Sequence, residues 1–282
     1  VKPPPFGYHA PRSLGEALAA LAAARDGKVL AGGQSLIPLL NMRLAAPAEI
    51  IDINRVAGLD TLEAGPAGVR VGALVRHARA ERSAEAARVQ PLLRLALRHV
   101  AHPAVRSRGT VVGSLAHADP AAELPAVLAL LGGTVEAASV RGRRTIGAAD
   151  FFAGPLESAL APDELAVAAT FPALPPRTGA AFAEIARRHG DYALAGVAAL
   201  VTVDEAGRPA AARAGYLGVA ATPLVLDLDV SGGRAAAAAD AAGRLDPETD
   251  IHASAEYRRH LAGVLTERVL HAAAGAARER GT

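Results

Sequence analysis

Between Pro172 and Gly179 the chain reads PALPPRTG, and three prolines at this spacing end any helix or central strand that reaches them. The pattern differs on the two sides. Before the linker, short apolar runs alternate with amphipathic stretches and glycine-rich turns. After it, strands are expected over 181–187, 196–204 and 211–219, the last two joined by a hairpin turn at Glu205-Ala206-Gly207. A helical tail follows from about Gly233, and Ala235 to Ala242 reads as a helix with small packing faces rather than low-complexity chain. Strands followed by helices indicate an α+β unit, a three-stranded meander with helices, over 177–282.

The part before the linker divides again near Gly58, giving a lobe over 1–57 and a second over 58–176. In the first, residues 12–25 have a helical pattern: Ser13 can cap it, Glu16 sits three residues on, and Leu14, Ala17, Leu18 and Leu21 share a face. A short strand over 29–31 runs into Gly32-Gly33, a helix over 36–44 capped by Ser35 follows, and 49–53 reads as a strand. In the second lobe, strands over 59–63 and 69–71 pair across the Gly65-Pro66 turn. Helices are expected over 76–88, 91–100 and 120–131, the last capped by Asp119 with Pro120 at its first position. The stretch 102–120 is too rich in Gly, Ser and Pro to be one element, and strands over 134–140 and 164–171 close the lobe.

Composition narrows the chemistry. Half of the residues are apolar, so the chain is globular, yet with five Phe, four Tyr and no Trp its core must be built from Ala, Leu and Val. No cysteine is present, which removes disulfides, thiol catalysis and thiolate-held iron–sulfur clusters from this chain and fits a cytoplasmic setting. The net charge is only +2, and no basic tract of the nucleic-acid-binding kind occurs. The proline-rich start, Val1 to Pro5, lacks the apolar region of a signal peptide, and no run is long and apolar enough to predict a membrane span. A Rossmann G-x-G-x-x-G, a P-loop, a G-x-S-x-G elbow and an H-E-x-x-H are all absent. His117 and Asp119 stand two apart, which fits a loop histidine beside a helix cap better than a metal site. No residue is expected to act as a metal ligand or as an acid–base catalyst.

Two segments carry chemistry. In VLAGGQSL, from Val29 to Leu36, a strand ends in two glycines and a helix starts at once. Glycine takes positive φ freely and lets a ligand approach the backbone, and successive N–H groups in such a turn form an anion-binding nest. A diphosphate suits it; so, alone, does a plain structural turn. The second segment, RSRGTVVGSLAHADPAAELPA from Arg106 to Ala126, has the same ingredients in Gly109, Thr110, Gly113 and Ser114, with Glu123 beyond them.

Together they resemble the two FAD signatures of the flavoprotein (medium) subunit of the molybdenum hydroxylases. The family includes carbon monoxide dehydrogenase medium subunits and the FAD domain of xanthine dehydrogenase. The first signature, A-G-G-H/Q-S-L, is intact from Ala31 to Leu36. The second resembles R-G-T-I/V-G-G-S/N/D-L-A-x-A-D-P-A-A-D/E. The resemblance extends over nearly the whole chain, through the opening Pro3 to Ala17, the LIPLLNMRL and IDINR stretches, and Arg188 to Ala198. It implies a two-lobed FAD-binding domain of the vanillyl-alcohol-oxidase/PCMH type followed by the smaller α+β domain.

For residues, it implies that Leu30, Ala31, Gly32, Gly33, Gln34, Ser35, Leu36 and Ile37 wrap the FAD diphosphate. Thr110, Val111, Val112, Gly113 and Ser114 would form a second backbone cradle. Val100 would pack on the adenine side, Glu123 would bond the ribityl chain, and Asp191 and Tyr192 would sit near the isoalloxazine. One departure stands out: the family has two glycines before the position of Ser114, where this chain has Val112-Gly113. A β-branched residue disfavours positive φ, so the loop must rearrange if that conformation is needed there, and replacing Val112 with Gly should preserve or tighten binding.

For function, the resemblance implies an electron-transfer subunit. In the family, substrate is oxidised at a molybdenum cofactor in a large subunit. Electrons then pass through 2Fe–2S clusters of a small subunit to FAD and on to an external acceptor. This chain would therefore need an iron–sulfur small subunit and a molybdenum large subunit as partners. Two rivals stand beside this reading: a free-standing FAD-dependent oxidoreductase, and a structural subunit that has lost FAD.

Overall fold

The computed structural model describes residues 2–281; Val1, the start of the proline-rich segment, and Thr282 lie outside the described residues. The chain begins with β1 (Gly7–His9), α1 (Leu14–Ala23), β2 (Gly27–Leu30), α2 (Leu36–Asn41) and β3 (Glu49–Asp52). These strands form a parallel sheet in the order β1-β3-β2. Helix α1 starts where the sequence places it, because Ser13 and Glu16 close a reciprocal capping box. Its Ala17 and Leu21 are buried with Ile51 of β3.

The second sheet is antiparallel, in the order β4-β5-β10-β6-β7, from β4 (Leu62–Gly65), β5 (Gly68–Gly72), β6 (Thr134–Ser139), β7 (Gly142–Gly147) and β10 (Leu165–Pro172). Between β5 and β6 run α3 (His77–Arg82), α4 (Ala84–Val89), α5 (Pro91–Leu97), α6 (Pro103–Arg106), α7 (Val111–His117) and α8 (Glu123–Leu131). After β7 come α9 (Ala148–Phe151) and the small ladder β8 (Phe152–Gly154) with β9 (Glu157–Ser158).

The expected helix over 76–88 is two helices, because the Ser83 hydroxyl accepts the Ala86 N–H and starts α4 afresh. The helix expected from Pro120 begins at Glu123. The Asp119 carboxylate accepts the Ala121 N–H and holds 119–121 as a turn instead. Strand β7, an edge strand whose first four residues are exposed, carries no apolar alternation and is invisible to patterning.

The third sheet is built from β11 (Thr178–Ala186), β12 (Ala193–Val203), β13 (Pro209–Leu217) and β14 (Leu224–Leu228), antiparallel and in sequence order. It thus has four strands rather than the expected three, the short β14 following Pro223 along the edge. The helical tail is made of two helices, α10 (Arg234–Arg244) and α11 (Ala255–Gly281). Alternation along β11 and β12 sorts the faces. Ala181, Ala195, Val197 and Ala199 join the helices α10 and α11, whereas Ala180 and Ala198 join the core of the second lobe. The four-stranded sheet therefore leans on α5 and α8 through its other face. Among the described residues no helix is long and apolar enough to cross a membrane.

Candidate functional site

The two glycine-rich segments meet. A Cβ on Gly32 would lie 2.6 Å from the Arg108 carbonyl oxygen and 2.7 Å from the Gly109 Cα, so only glycine lets the first turn rest on the second. Gly33 serves differently: its φ is +75°, in the left-handed region that side chains resist. Past it, the N–H groups of Gly33, Gln34 and Ser35 donate to no protein acceptor among the described residues. Ser35 precedes α2 but its hydroxyl makes no cap bond, contrary to the expected capping role. Three successive free N–H groups with a free hydroxyl fit a diphosphate. Leu30, Ala31 and Leu36 flank the turn half-buried, while Ile37 is exposed.

The second segment is built the other way. Thr110 caps α7, its hydroxyl accepting the Gly113 N–H at 3.2 Å. The Ser114 N–H goes to the Thr110 carbonyl and the Val111 N–H to Val75. Three of the five N–H groups of Thr110 to Ser114 are thus bonded within the protein and are not free for the expected second backbone cradle. Val111 and Val112 point into the core, Val112 with 2 % exposure, and Val112 sits in the first turn of a helix with no positive φ. The Val112 departure needs no rearranged loop. What the segment presents outward is the half-buried pair Gly113 and Ser114.

A polar network that the sequence reading missed ties the lobes together beneath these turns. The Asn54 side chain donates to the Ala31 carbonyl at 2.8 Å and to Asp52 at 2.6 Å. Arg76 donates to the Asn54 side-chain oxygen at 2.6 Å and to the Arg108 carbonyl at 2.5 Å. Burial, and then the charge of Arg108, lowers the Arg76 pKa. The N–H of His77 donates to Gly109, and its buried imidazole has both ring nitrogens unpartnered. Burial pushes the His77 pKa down to about 4, so the ring is neutral. Asn54 lay within the IDINR stretch and could have been found there; Arg76 and His77 left no local signal.

The site continues along one edge. The Val100 side chain packs with the core, and its carbonyl accepts the Arg106 guanidinium at 2.9 Å. Ala101, next to it, is held at φ +43°. The loop from β11 to β12 packs here, Gly190 fitting closely against Ala101 and His102. In that loop Asp191 pairs with Arg188 at 3.1 Å, which holds its carboxyl below the usual range. Tyr192 is 67 % exposed. Partial desolvation of its phenol, then the charges of Asp119 and Glu123, raise its pKa. Glu123 stands at the start of α8, and burial, followed by the charge of Glu184, pushes its carboxyl up to about 8. Gly32 thus meets residues 108–110 between the first two lobes, and Tyr192 and Glu123 lie near enough to one another to interact electrostatically. Among the described residues no group of three or more His, Cys, Asp or Glu is placed to hold a metal ion.

Comparison with known proteins gives the family. A model of the FAD binding domain in molybdopterin dehydrogenase matches residues 4–174, and one of the CO dehydrogenase flavoprotein C-terminal domain matches residues 233–273. The chain is 43 % identical to the 6-hydroxypseudooxynicotine dehydrogenase complex subunit alpha of Paenarthrobacter nicotinovorans, over 96 % of this chain and 95 % of that protein. It is 35 % identical to the carbon monoxide dehydrogenase medium chain of Hydrogenophaga pseudoflava, over 96 % of this chain and 98 % of that one. Among solved structures, quinoline 2-oxidoreductase from Pseudomonas putida 86 superposes with a TM-score of 0.92 at 39 % identity, covering 98 % of this chain and 99 % of that chain. The chain belongs to the family of FAD-binding medium subunits of the molybdenum hydroxylases, and is an oxidoreductase component with the two-lobed FAD domain and smaller α+β domain of that family.

Proposed function

We propose that this chain is the electron-transfer subunit of a multi-subunit molybdenum hydroxylase, taking electrons from 2Fe–2S clusters of a small partner and passing them to an external acceptor. The supporting observation is the run of free N–H groups at Gly33 to Ser35, seated on residues 108–110 by Gly32. FAD supplies the redox chemistry when bound; the protein supplies position and electrostatics. In this reading Leu30 to Ile37 hold the diphosphate and the outward side of 110–114 completes the wall. Glu123 bonds the ribityl chain, and Asp191 and Tyr192 stand at the isoalloxazine end. The lobes extend over 1–57 and 58–176, with the third unit over 177–282 and the whole acting in the cytoplasm. With no cysteine in the chain, the clusters belong to a partner, as does the molybdenum centre.

The test is reconstitution. The purified chain with FAD should be yellow and inert toward substrate, and co-expression with a cysteine-rich small chain and a large chain should restore substrate-to-dye electron transfer. Turnover by the chain alone would favour a free-standing oxidoreductase, and a colourless protein after FAD addition would leave a structural subunit.

A further inference from the structure

The first turn of α11 sends a charged side chain into the protein. Arg258 is buried, its side chain 8 % exposed, and it reaches the end of the four-stranded sheet. The pairing of β12 with β13 runs as far as Gly196 and Leu217. Just past that pair, Arg258 Nη1 donates to the Leu194 carbonyl at 2.6 Å and to the Gly218 carbonyl at 2.9 Å. Nη2 donates to Asp250 at 2.7 Å, and Asp250 in turn accepts the His252 and Ala253 N–H groups. One guanidinium thus joins two strand ends where their ladder stops, through a planar fork of donors that a lysine lacks. Both carbonyls lead toward the site. Leu194 is two residues past Tyr192. Gly218 has φ +72° and rests on the same strand end, a Cβ there falling 3.0 Å from the Ala193 and Leu194 oxygens. Its N–H donates to the Pro120 carbonyl at 2.9 Å, three residues before Glu123. Ala193 and Leu217 pack with Ala126 of α8 as one small buried cluster.

We propose that Arg258 is a positioning residue for the isoalloxazine end of the cofactor site, fixing the loop of Tyr192 against the start of α8. This rests on the assignment of Tyr192 and Glu123 to FAD and adds what sets their spacing. Without the guanidinium, the buried Leu194 and Gly218 carbonyls lose a donor, and the ends of β12 and β13 are free to part. One end carries Tyr192; the other holds, through the Pro120 carbonyl, the turn before Glu123. The turn from Gly33 to Ser35 stands on the first lobe and shares none of these bonds, so the hold on the diphosphate is left in place.

The experiment compares FAD affinity with the emission of bound flavin in the full chain, since a phenol beside the ring quenches flavin fluorescence. Arg258→Lys keeps the positive charge and can still pair with Asp250, but it cannot span both carbonyls. It should bind FAD within about threefold of wild type and leave the bound flavin severalfold brighter. Asp250→Asn keeps both carbonyl bonds; it should unfold at a lower temperature yet leave the flavin quenched. Tyr192→Ala marks the full loss of quenching. If Tyr192→Ala leaves the emission unchanged, the loop does not stand at the isoalloxazine, and the site assignment falls with the proposal. If Tyr192→Ala brightens the flavin and Arg258→Lys does not, only the proposal falls. It also falls if Asp250→Asn brightens the flavin as much as Arg258→Lys does, because the emission then follows general loosening of the third unit. A measurement on the wild type needs no variant: FAD should slow hydrogen exchange at 192–196 and at 217–220 together, and protection of the first stretch without the second overturns the link.

Discussion

The two glycine-rich turns look alike in sequence and behave oppositely in the fold. Gly32 to Ser35 leaves its N–H groups unspent and its serine uncapped, so its polar capacity faces outward. Thr110 to Ser114 spends three of its N–H groups on a helix cap, a helical turn and a bridge to Val75 within its own lobe, and buries its two valines. In the proposed function the first turn binds and the second supports it. The glycines divide the same way: Gly33 supplies a conformation, Gly32 supplies space, and Gly113 stands beside the hydroxyl that caps its own helix. A glycine signature therefore marks where two backbones or a ligand come close, and does not say which.

The largest expected effect that would break this contrast is at their contact. Gly32→Val drives a side chain into the backbone of 108–110 and should weaken FAD binding by two orders of magnitude or more, about 3 kcal/mol, in a flavin titration. The effect should exceed that of Gly33→Ala, whose cost is the left-handed φ, about 1–2 kcal/mol. If the order is reversed, the contact between the turns is not what holds the site. Next comes Val112→Gly. It removes a buried side chain from a helix and should lower unfolding stability by about 2–4 kcal/mol in urea, while the folded fraction keeps its FAD affinity. This keeps the expectation from sequence that binding is preserved and adds the loss of the packing that Val112 makes in the core.

Acid should act on the supporting turn before the binding turn. The folded-state pKa of His77 is depressed to about 4 from the usual 6.5. The folded protein thus binds fewer protons than the unfolded chain in between, so this contribution to stability is complete above about pH 6.5 and fades as pH falls toward about 4. Hydrogen exchange at 109–111 should speed up across that window, and His77→Leu should flatten the response. An acid-insensitive 109–111 would show that the ring does not brace the turn. The smallest pair is the most direct comparison. Thr110→Ala should cost about 1 kcal/mol of stability through its lost cap, whereas Ser35→Ala should leave thermal unfolding unchanged and weaken only FAD binding.

Much of this was legible in one dimension. Ser13 and Glu16 mark the start of the first helix, the prolines mark the linker, and the AGGQSL signature marks the turn, because each depends on neighbours within a few residues. Element edges and faint strands were less legible. Strand β7 is a charged edge and β14 is short, so neither has a hydrophobic period strong enough to read. The start of α8 moved because Asp119 bonds Ala121 and makes a turn where a cap was expected.

The sequence by itself determined the class of fold, the strand–glycine–helix turn and the absence of any thiol chemistry, since composition and local conformation settle those. Only the tertiary structure decided which turn keeps its N–H groups free, that Asn54 and Arg76 tie the lobes beneath it, and that Glu184 is buried beside His99. These are contacts between residues tens of positions apart, and only the packing of three sheets brings them together. Burial and pairing there set hydrogen-bonding capacity and proton affinity, which a side chain does not carry in its name.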